Sequence, residues 1–282
     1  MKKFLYMIIA TAASLGGSTC RSFDILSSRA FGLGGNIVLS QPKPSDLLMS
    51  PSGGLASGDW RIETGFARTF DLKDLDQAFF AAAGSYRSFT FAGGFSQLGQ
   101  QDFYAERTAK LAVSYQLDSL TVGLTGSYFH LAFGGIYPTL HAFGVGSGVT
   151  WRTKDLSIAL TGDNLNSPTL YDGAVPYRPL YSAEIELQSS RTLATLGRLV
   201  AQKTRQPQFG LGQRIMLGQA SALTWGIMTA PVIFGGGFEF GFGRAALTYG
   251  ASYHPVLGLS QTIAVSVGAL GPKESNGGDF NR

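Results

Sequence analysis

The sequence predicts an all-β protein: a 14-stranded antiparallel transmembrane β-barrel with an N-terminal plug in its lumen. Three observations predict this. Hydrophobicity alternates with period two over most of the chain beyond residue 58, the mark of strands with unlike faces. The face opposite the apolar one is built from Gly, Ser, Thr and Ala with few charges, which suits a narrow lumen better than a surface in bulk water. The connections alternate between tight turns and longer loops, the asymmetry of an outer-membrane barrel.

The composition narrows the choice. Charged residues are 14%, against roughly 25% in ordinary globular domains. Glycine is 38 of 282 residues, yet hydrophobic residues are only 44%, so the chain is not a bundle of apolar helices. No stretch beyond the N-terminus offers 18 consecutive apolar residues. The formal net charge is +4 with Lys and Arg scattered, which speaks against nucleic acid as a partner. The single cysteine, Cys20, excludes a disulfide framework and a Cys-based zinc site.

Residues 1–20 read as an export signal: Lys2 and Lys3, an apolar run from Phe4 to Ala13, then small residues. The run is too short for a spanning helix. Gly17-Ser18-Thr19-Cys20 loosely matches a lipoprotein box, but Thr19 is a poor residue before the cysteine, and Cys20 reads as incidental.

The barrel is expected over 59–270, with strands at 59–70, 76–86, 88–98, 102–117, 119–133, 138–153, 155–163, 179–189, 191–203, 206–218, 221–229, 232–242, 244–254 and 257–270. Most are nine residues or longer, enough to cross a bilayer at a tilt. The last strands alternate most clearly. Leu259, Ile263, Val265 and Val267 oppose Ser260, Thr262, Ala264 and Ser266, and Phe234, Phe238, Phe240 and Phe242 oppose Gly235, Gly237, Glu239 and Gly241. The 191–203 segment, with Leu193, Leu196 and Leu199, also fits a short helix. Residues 271–282 are left as a periplasmic tail.

Residues 21–58 do not alternate, yet Phe31, Ile37, Val38, Leu39, Leu47, Leu48 and Met49 make them too apolar to hang free. They are assigned to the plug, where glycines without side chains let the backbone run close to the wall.

The lumen phase carries charge at Glu106, Lys110, Glu184, Glu186, Arg214, Glu239 and Arg244. Isolated charges in a narrow barrel are costly, so these are expected to pair and to hold the plug rather than to line a substrate path. Gly144-Val145-Gly146-Ser147-Gly148 follows no helix-opening pattern and reads as small residues on a crowded wall, not as a nucleotide loop. His130 and His141 flank the Gly134-Gly135 turn on the apolar phase beside Tyr128 and Phe143. They read as part of an interfacial aromatic belt, not a metal pair. No Ser, His and carboxylate set can be assembled from the alternation, so no catalytic residue, cofactor or metal is assigned.

Four segments resemble one superfamily, the FadL-type and PorV/PorQ-type outer-membrane barrels. Arg29-Ala30-Phe31-Gly32-Leu33-Gly34-Gly35 resembles the start of the mature proteins. Ser50-Pro51-Ser52-Gly53-Gly54-Leu55-Ala56 resembles an Asn-Pro-Ala-Gly-Leu-Ala segment, with Ser50 in place of the Asn. Gly162-Asp163-Asn164-Leu165-Asn166-Ser167-Pro168 resembles a Gly-x-x-Asn-Leu-Gly stretch at the mid-barrel loop, and Tyr253–Leu259 resembles a last hairpin. The resemblance implies fourteen strands with an N-terminal segment tucked inside, in the bacterial outer membrane. It implies a non-enzymatic role, accessory to protein secretion of the type IX kind, with secretion-machinery proteins as partners besides lipid. The alternative it implies is passive transport of a hydrophobic ligand such as a fatty acid; an outer-membrane hydrolase is the remote one.

Overall fold

The computed structural model describes residues 27–268, apart from 101–103, 135–138, 171–175, 204 and 219. The expected signal with Cys20, and the expected tail at 271–282, lie outside the described residues.

Fourteen strands form one closed barrel: β1 Trp60–Arg68, β2 Asp76–Tyr86, β3 Phe89–Gln100, β4 Tyr104–Leu117, β5 Leu120–Phe133, β6 Leu140–Arg152, β7 Leu156–Asp163, β8 Leu180–Gln188, β9 Leu193–Gln202, β10 Gln208–Met216, β11 Ser221–Met228, β12 Ile233–Phe242, β13 Ala245–His254 and β14 Gly258–Gly268. Each strand pairs antiparallel with its sequence neighbours. β1 closes on β14 with Glu63 opposite Ser266 and Thr64 opposite Val265. Closure is what the bilayer demands, because an open edge would leave peptide groups without partners in hydrocarbon.

The period-two pattern sets which face meets lipid. Leu111, Leu124, Phe143, Phe238 and Val265 point outward and are exposed, whereas Thr108, Thr150, Glu239, Thr248 and Thr262 point inward and are buried. The segment at 193–202 is a strand, not a helix. Leu196 is buried inside while Leu199 faces out, so leucines three residues apart fall on opposite faces.

One end of the barrel carries both strand termini, Trp60 and Gly268, and the tight connections 87–88, 118–119, 153–155 and 243–244. The opposite end carries the longer connections, chiefly 69–75 and 164–179. We call these the periplasmic and outer ends.

Residues 27–59 are irregular apart from two short helices, α1 Ser28–Gly32 and α2 Pro44–Met49. The Ser27 hydroxyl accepts from the Ala30 amide at the start of α1 and donates to Asp46 Oδ1 at 2.7 Å, tying the two helices together. Pro44 opens α2, where its missing N–H costs nothing, and Asp46 Oδ2 accepts the Lys43 amide at 2.9 Å.

The segment meets inward-facing residues of every strand. The Ser45 hydroxyl donates to Glu63 of β1. Leu47, Leu48 and Leu55 pack with Phe79, Ala81, Ala83, Ala92, Ala112 and Ala264 of β2, β3, β4 and β14. Pro51 lies against Gly123 of β5, and Ser52 bonds Thr150 of β6. Ile37 and Leu39 pack on Ala159 of β7. Glu186 of β8 and Arg198 of β9 bond its backbone. Asn36 lies against Gly210 of β10, Leu33 against Gly226 of β11, and Ser28 against Gly250 of β13. Arg29 pairs with Glu239 of β12.

Part of the wall facing α1 is glycine. A Cβ on Gly235 would stand 2.5 Å from Phe31 O and 2.9 Å from Gly34 Cα. Glycines on β11, β12 and β13 thus form a groove in which backbone lies directly on backbone.

Candidate functional site

Two regions inside the barrel bring functional side chains together: a charged node around Glu239, and an apolar mouth at the outer end.

In the node, Glu239 Oε2 accepts from Arg29 Nη2 at 2.9 Å and lies 3.4 Å from Lys43 Nζ, while Glu239 Oε1 accepts from Arg214 Nε at 3.1 Å. Asp46 supports Arg29 from the other side at 3.4 Å. Lys43 also donates to the Thr248 hydroxyl, and Arg29 to the Gln41 carbonyl oxygen at 2.8 Å. One barrel carboxylate therefore gathers two cations from the N-terminal segment and one from the wall. Burial works against the charge on Arg29, but Glu239 and Asp46 outweigh it and hold the guanidinium pKa above its ordinary range. At Lys43, burial prevails over the attraction of Glu239 and pushes the ammonium pKa down.

A second carboxylate grips the backbone. Glu186 accepts from Leu39 N at 2.6 Å, Ser40 N at 2.8 Å and the Ser40 hydroxyl at 2.5 Å. Beside it Arg152 donates to the Leu39 carbonyl oxygen at 2.7 Å. Glu184 pairs with Arg198 at 3.2 Å and accepts from the Ser182 hydroxyl; Arg198 in turn donates to Gly35 O. Glu184, Glu186 and Arg198 are buried and Arg152 is half-buried, and each is answered by an opposite charge or by hydrogen bonds, the condition under which burial is tolerated.

Glu106 and Lys110 are buried on the inward side of β4, and Tyr104 donates to Glu106. Arg244, expected in the lumen, is not there. It lies exposed in the tight turn between β12 and β13, because the turn takes in both Gly243 and Arg244 and β13 starts at Ala245, one residue later than the pattern suggested.

The motif residues lie as follows. Gly32, Gly34 and Gly35 are buried where the chain leaves α1, with φ of +60° at Gly34 and +95° at Gly35, a backbone that favours glycine. Ser50 N donates to Asp46 O, Pro51 sits at Gly123, Leu55 N donates to the Thr90 hydroxyl, and Ala56 O accepts from Asp59 N. Asn164 turns the chain after β7 with φ of +52°, and Leu165 N donates to Val145 O at 2.9 Å. Gly144, Gly146 and Gly148 face inward into crowded wall; a Cβ on Gly148 would stand 2.9 Å from the Ser52 hydroxyl.

At the outer end of β5 and β6 the inward phase turns apolar, while Gln77, Ser96, Asp163 and Ser260 keep it polar around the rest of the rim. Phe129, Leu131 and Ala142 are buried inside β5 and β6 and pack with Tyr104, Phe133, Leu140, Leu170 and Tyr177. The last two come from the long connection after β7. Tyr177 N donates to Pro168 O at 2.8 Å, which ties the two described parts of that connection together.

Arg29, Lys43, Asp46, Glu63 and Arg198 were not singled out from sequence. A signal was present for the first three: charges in a short, otherwise apolar segment need partners wherever it docks.

A closed barrel with an apolar outer skin and an inner face of small and paired polar residues defines a class, the bacterial outer-membrane β-barrel. Comparison with solved structures agrees with that class. The chain is similar to the TodX deltaS2S3 mutant monoaromatic hydrocarbon channel, with a TM-score of 0.61 at 11% identity over 88% of this chain and 99% of that one. It is similar to the P. putida toluene transporter TodX, with a TM-score of 0.61 at 9% identity over 87% of this chain and 97% of that one. At these identities the likeness is one of fold, a closed β-barrel. No family profile matches the sequence, and no curated protein matches it.

Proposed function

We propose that the protein is a non-enzymatic channel that passes hydrophobic small molecules across the outer membrane, with residues 21–58 plugging its lumen against water and ions. One observation carries this reading: the apolar mouth. The interior of a diffusion pore for polar solutes is polar. Here the inward phase at the outer end of β5 and β6 gathers Phe129, Leu131, Leu140 and Phe133 beneath Leu170 and Tyr177, an apolar cluster that an apolar solute would enter by displacing those two side chains. The structural neighbours named as a monoaromatic hydrocarbon channel and a toluene transporter support the same reading. The contacts of the N-terminal segment with all fourteen strands support the plug. The accessory role in secretion, first among the expectations from the PorV/PorQ resemblance, gains no such support: neither the compared structures nor any feature among the described residues points to a protein cargo.

The test is uptake. Cells lacking other hydrocarbon routes, expressing the protein, should take up labelled toluene or long-chain fatty acid faster than cells with an empty vector, with no gain for a hydrophilic sugar of similar size. Phe129→Asp should reduce the gain. Equal uptake with and without folded protein in the outer membrane would overturn the reading.

A further inference from the structure

Against the expectation from sequence of an aromatic belt without metal, we propose that His130 and His141 form a binding site for one divalent transition-metal ion on the outward surface at the outer rim of the barrel, a site independent of the transport reading.

Register and distance support the pair. His130 of β5 stands directly opposite His141 of β6, with ring centroids 4.9 Å apart. An imidazole nitrogen ligates Zn²⁺ at about 2.0–2.1 Å. Adding about 1.1 Å from nitrogen to ring centre puts each centroid about 3.2 Å from a shared ion, so two imidazoles at a near-tetrahedral angle have centroids about 5 Å apart. The observed centroid separation matches that spacing.

The hydrogen bonding leaves ligand atoms in place. His130 Nδ1 is buried and has no hydrogen-bond partner, an uncommon state for a ring nitrogen. His141 Nδ1 lies 2.5 Å from the Tyr128 hydroxyl, and the two rings stack with centroids 5.7 Å apart. In the tautomer that directs the Nδ1 proton at Tyr128 Oη, His141 has its lone pair on Nε2, whose contact is the Thr139 hydroxyl at a long 3.3 Å. This is the outer-shell pattern of metal-binding histidines: one nitrogen fixed by a partner that sets tautomer and ring orientation, the other turned to the ion. Arg107 of β4, opposite His130, is the neighbouring cation, and its Nε donates to Gln97 Oε1 at 3.0 Å.

The donor set selects the ion. Two neutral imidazoles favour Cu²⁺, Ni²⁺ or Zn²⁺ over Ca²⁺ or Mg²⁺, which prefer oxygen. His141 is the second residue of β6, at the outer rim where the wall leaves the bilayer, so water supplies the remaining ligands.

Titration of the purified full-length protein in detergent with CuCl₂, read by electron paramagnetic resonance, tests the site; NiCl₂ by calorimetry gives an independent stoichiometry. The expected result is one ion per barrel with hyperfine structure from two imidazole nitrogens. His130→Gln and His141→Gln should each abolish that signal while the heat-modifiable gel shift shows an intact barrel. Tyr128→Phe should weaken binding roughly tenfold. No ion bound by the wild type, or a two-nitrogen signal that persists in either histidine variant, would overturn the proposal.

Discussion

Replacing Glu239 with Gln removes one charge and keeps the shape, and its consequence can be worked from the node. Glu239 is the shared partner of Arg29, Lys43 and Arg214, at 2.9, 3.4 and 3.1 Å. Its loss leaves three cations close together with less negative charge to answer them. Breaking a buried ion pair at one partner costs about 3–5 kcal/mol. Asp46 still holds Arg29 at 3.4 Å, so the lower end of that range applies. About 3 kcal/mol taken from the docking of the N-terminal segment raises its undocked population about a hundredfold. Trypsin reads this directly, because Arg29 is buried and cleavage after it requires the segment to leave the wall. Glu239→Gln should therefore be cut after Arg29 about a hundredfold faster than wild type while the barrel still runs folded on a gel, and Glu239→Asp should fall between. An unchanged cleavage rate in folded Glu239→Gln would refute the claim that this carboxylate anchors the segment.

Three further outcomes follow from the geometry. Gly235→Val sets side-chain atoms against Phe31 O and Gly34 in the backbone groove, so it should cost about 1–3 kcal/mol of segment docking and raise the same cleavage rate. Val265→Arg on the lipid face should cost about 2–4 kcal/mol in urea unfolding from vesicles, whereas Ser266→Arg, inward beside Glu63, should cost far less; equal costs would refute this assignment of faces, and a larger cost at Ser266 would mean that they are reversed. Arg244→Ala, in an exposed turn, should change stability by no more than about 0.5 kcal/mol in the same assay, and a large loss would contradict its placement.

The barrel was legible because the bilayer and the lumen demand opposite side chains, and the chain alternates at the period of the strand. Strand ends were read within a few residues: β13 was expected to start at 244 and starts at Ala245, β10 at 206 and starts at Gln208. That margin is why Arg244 was misplaced, since one residue of overrun moves a side chain from the turn to the inner face. The leucines of β9 mimic helical spacing, and only the register shows that Leu196 and Leu199 part to opposite faces. The inner face was readable residue by residue; its partners were not. Glu186 gives no hint of the Leu39 and Ser40 amides it accepts, nor Glu239 of Arg29 lying 210 positions away. Such pairs are set by closure of the ring, which no local window contains. His254 is similar: its Nδ1 accepts the amides of Val256 and Leu257 at 3.1 Å and closes the β13–β14 turn, a role a lone histidine does not announce. The glycines at 235 and 237 were legible as small, but not as a groove for α1.

Single-channel conductance in planar bilayers tests most directly the central claim, a barrel filled by its own N-terminal segment. The intact protein should pass little ion current. Deletion of residues 21–56, which removes α1, α2 and the Glu186 and Glu239 contacts, should open a conducting pore in a barrel that still shifts on a gel. A large, steady conductance from the intact chain would contradict the account.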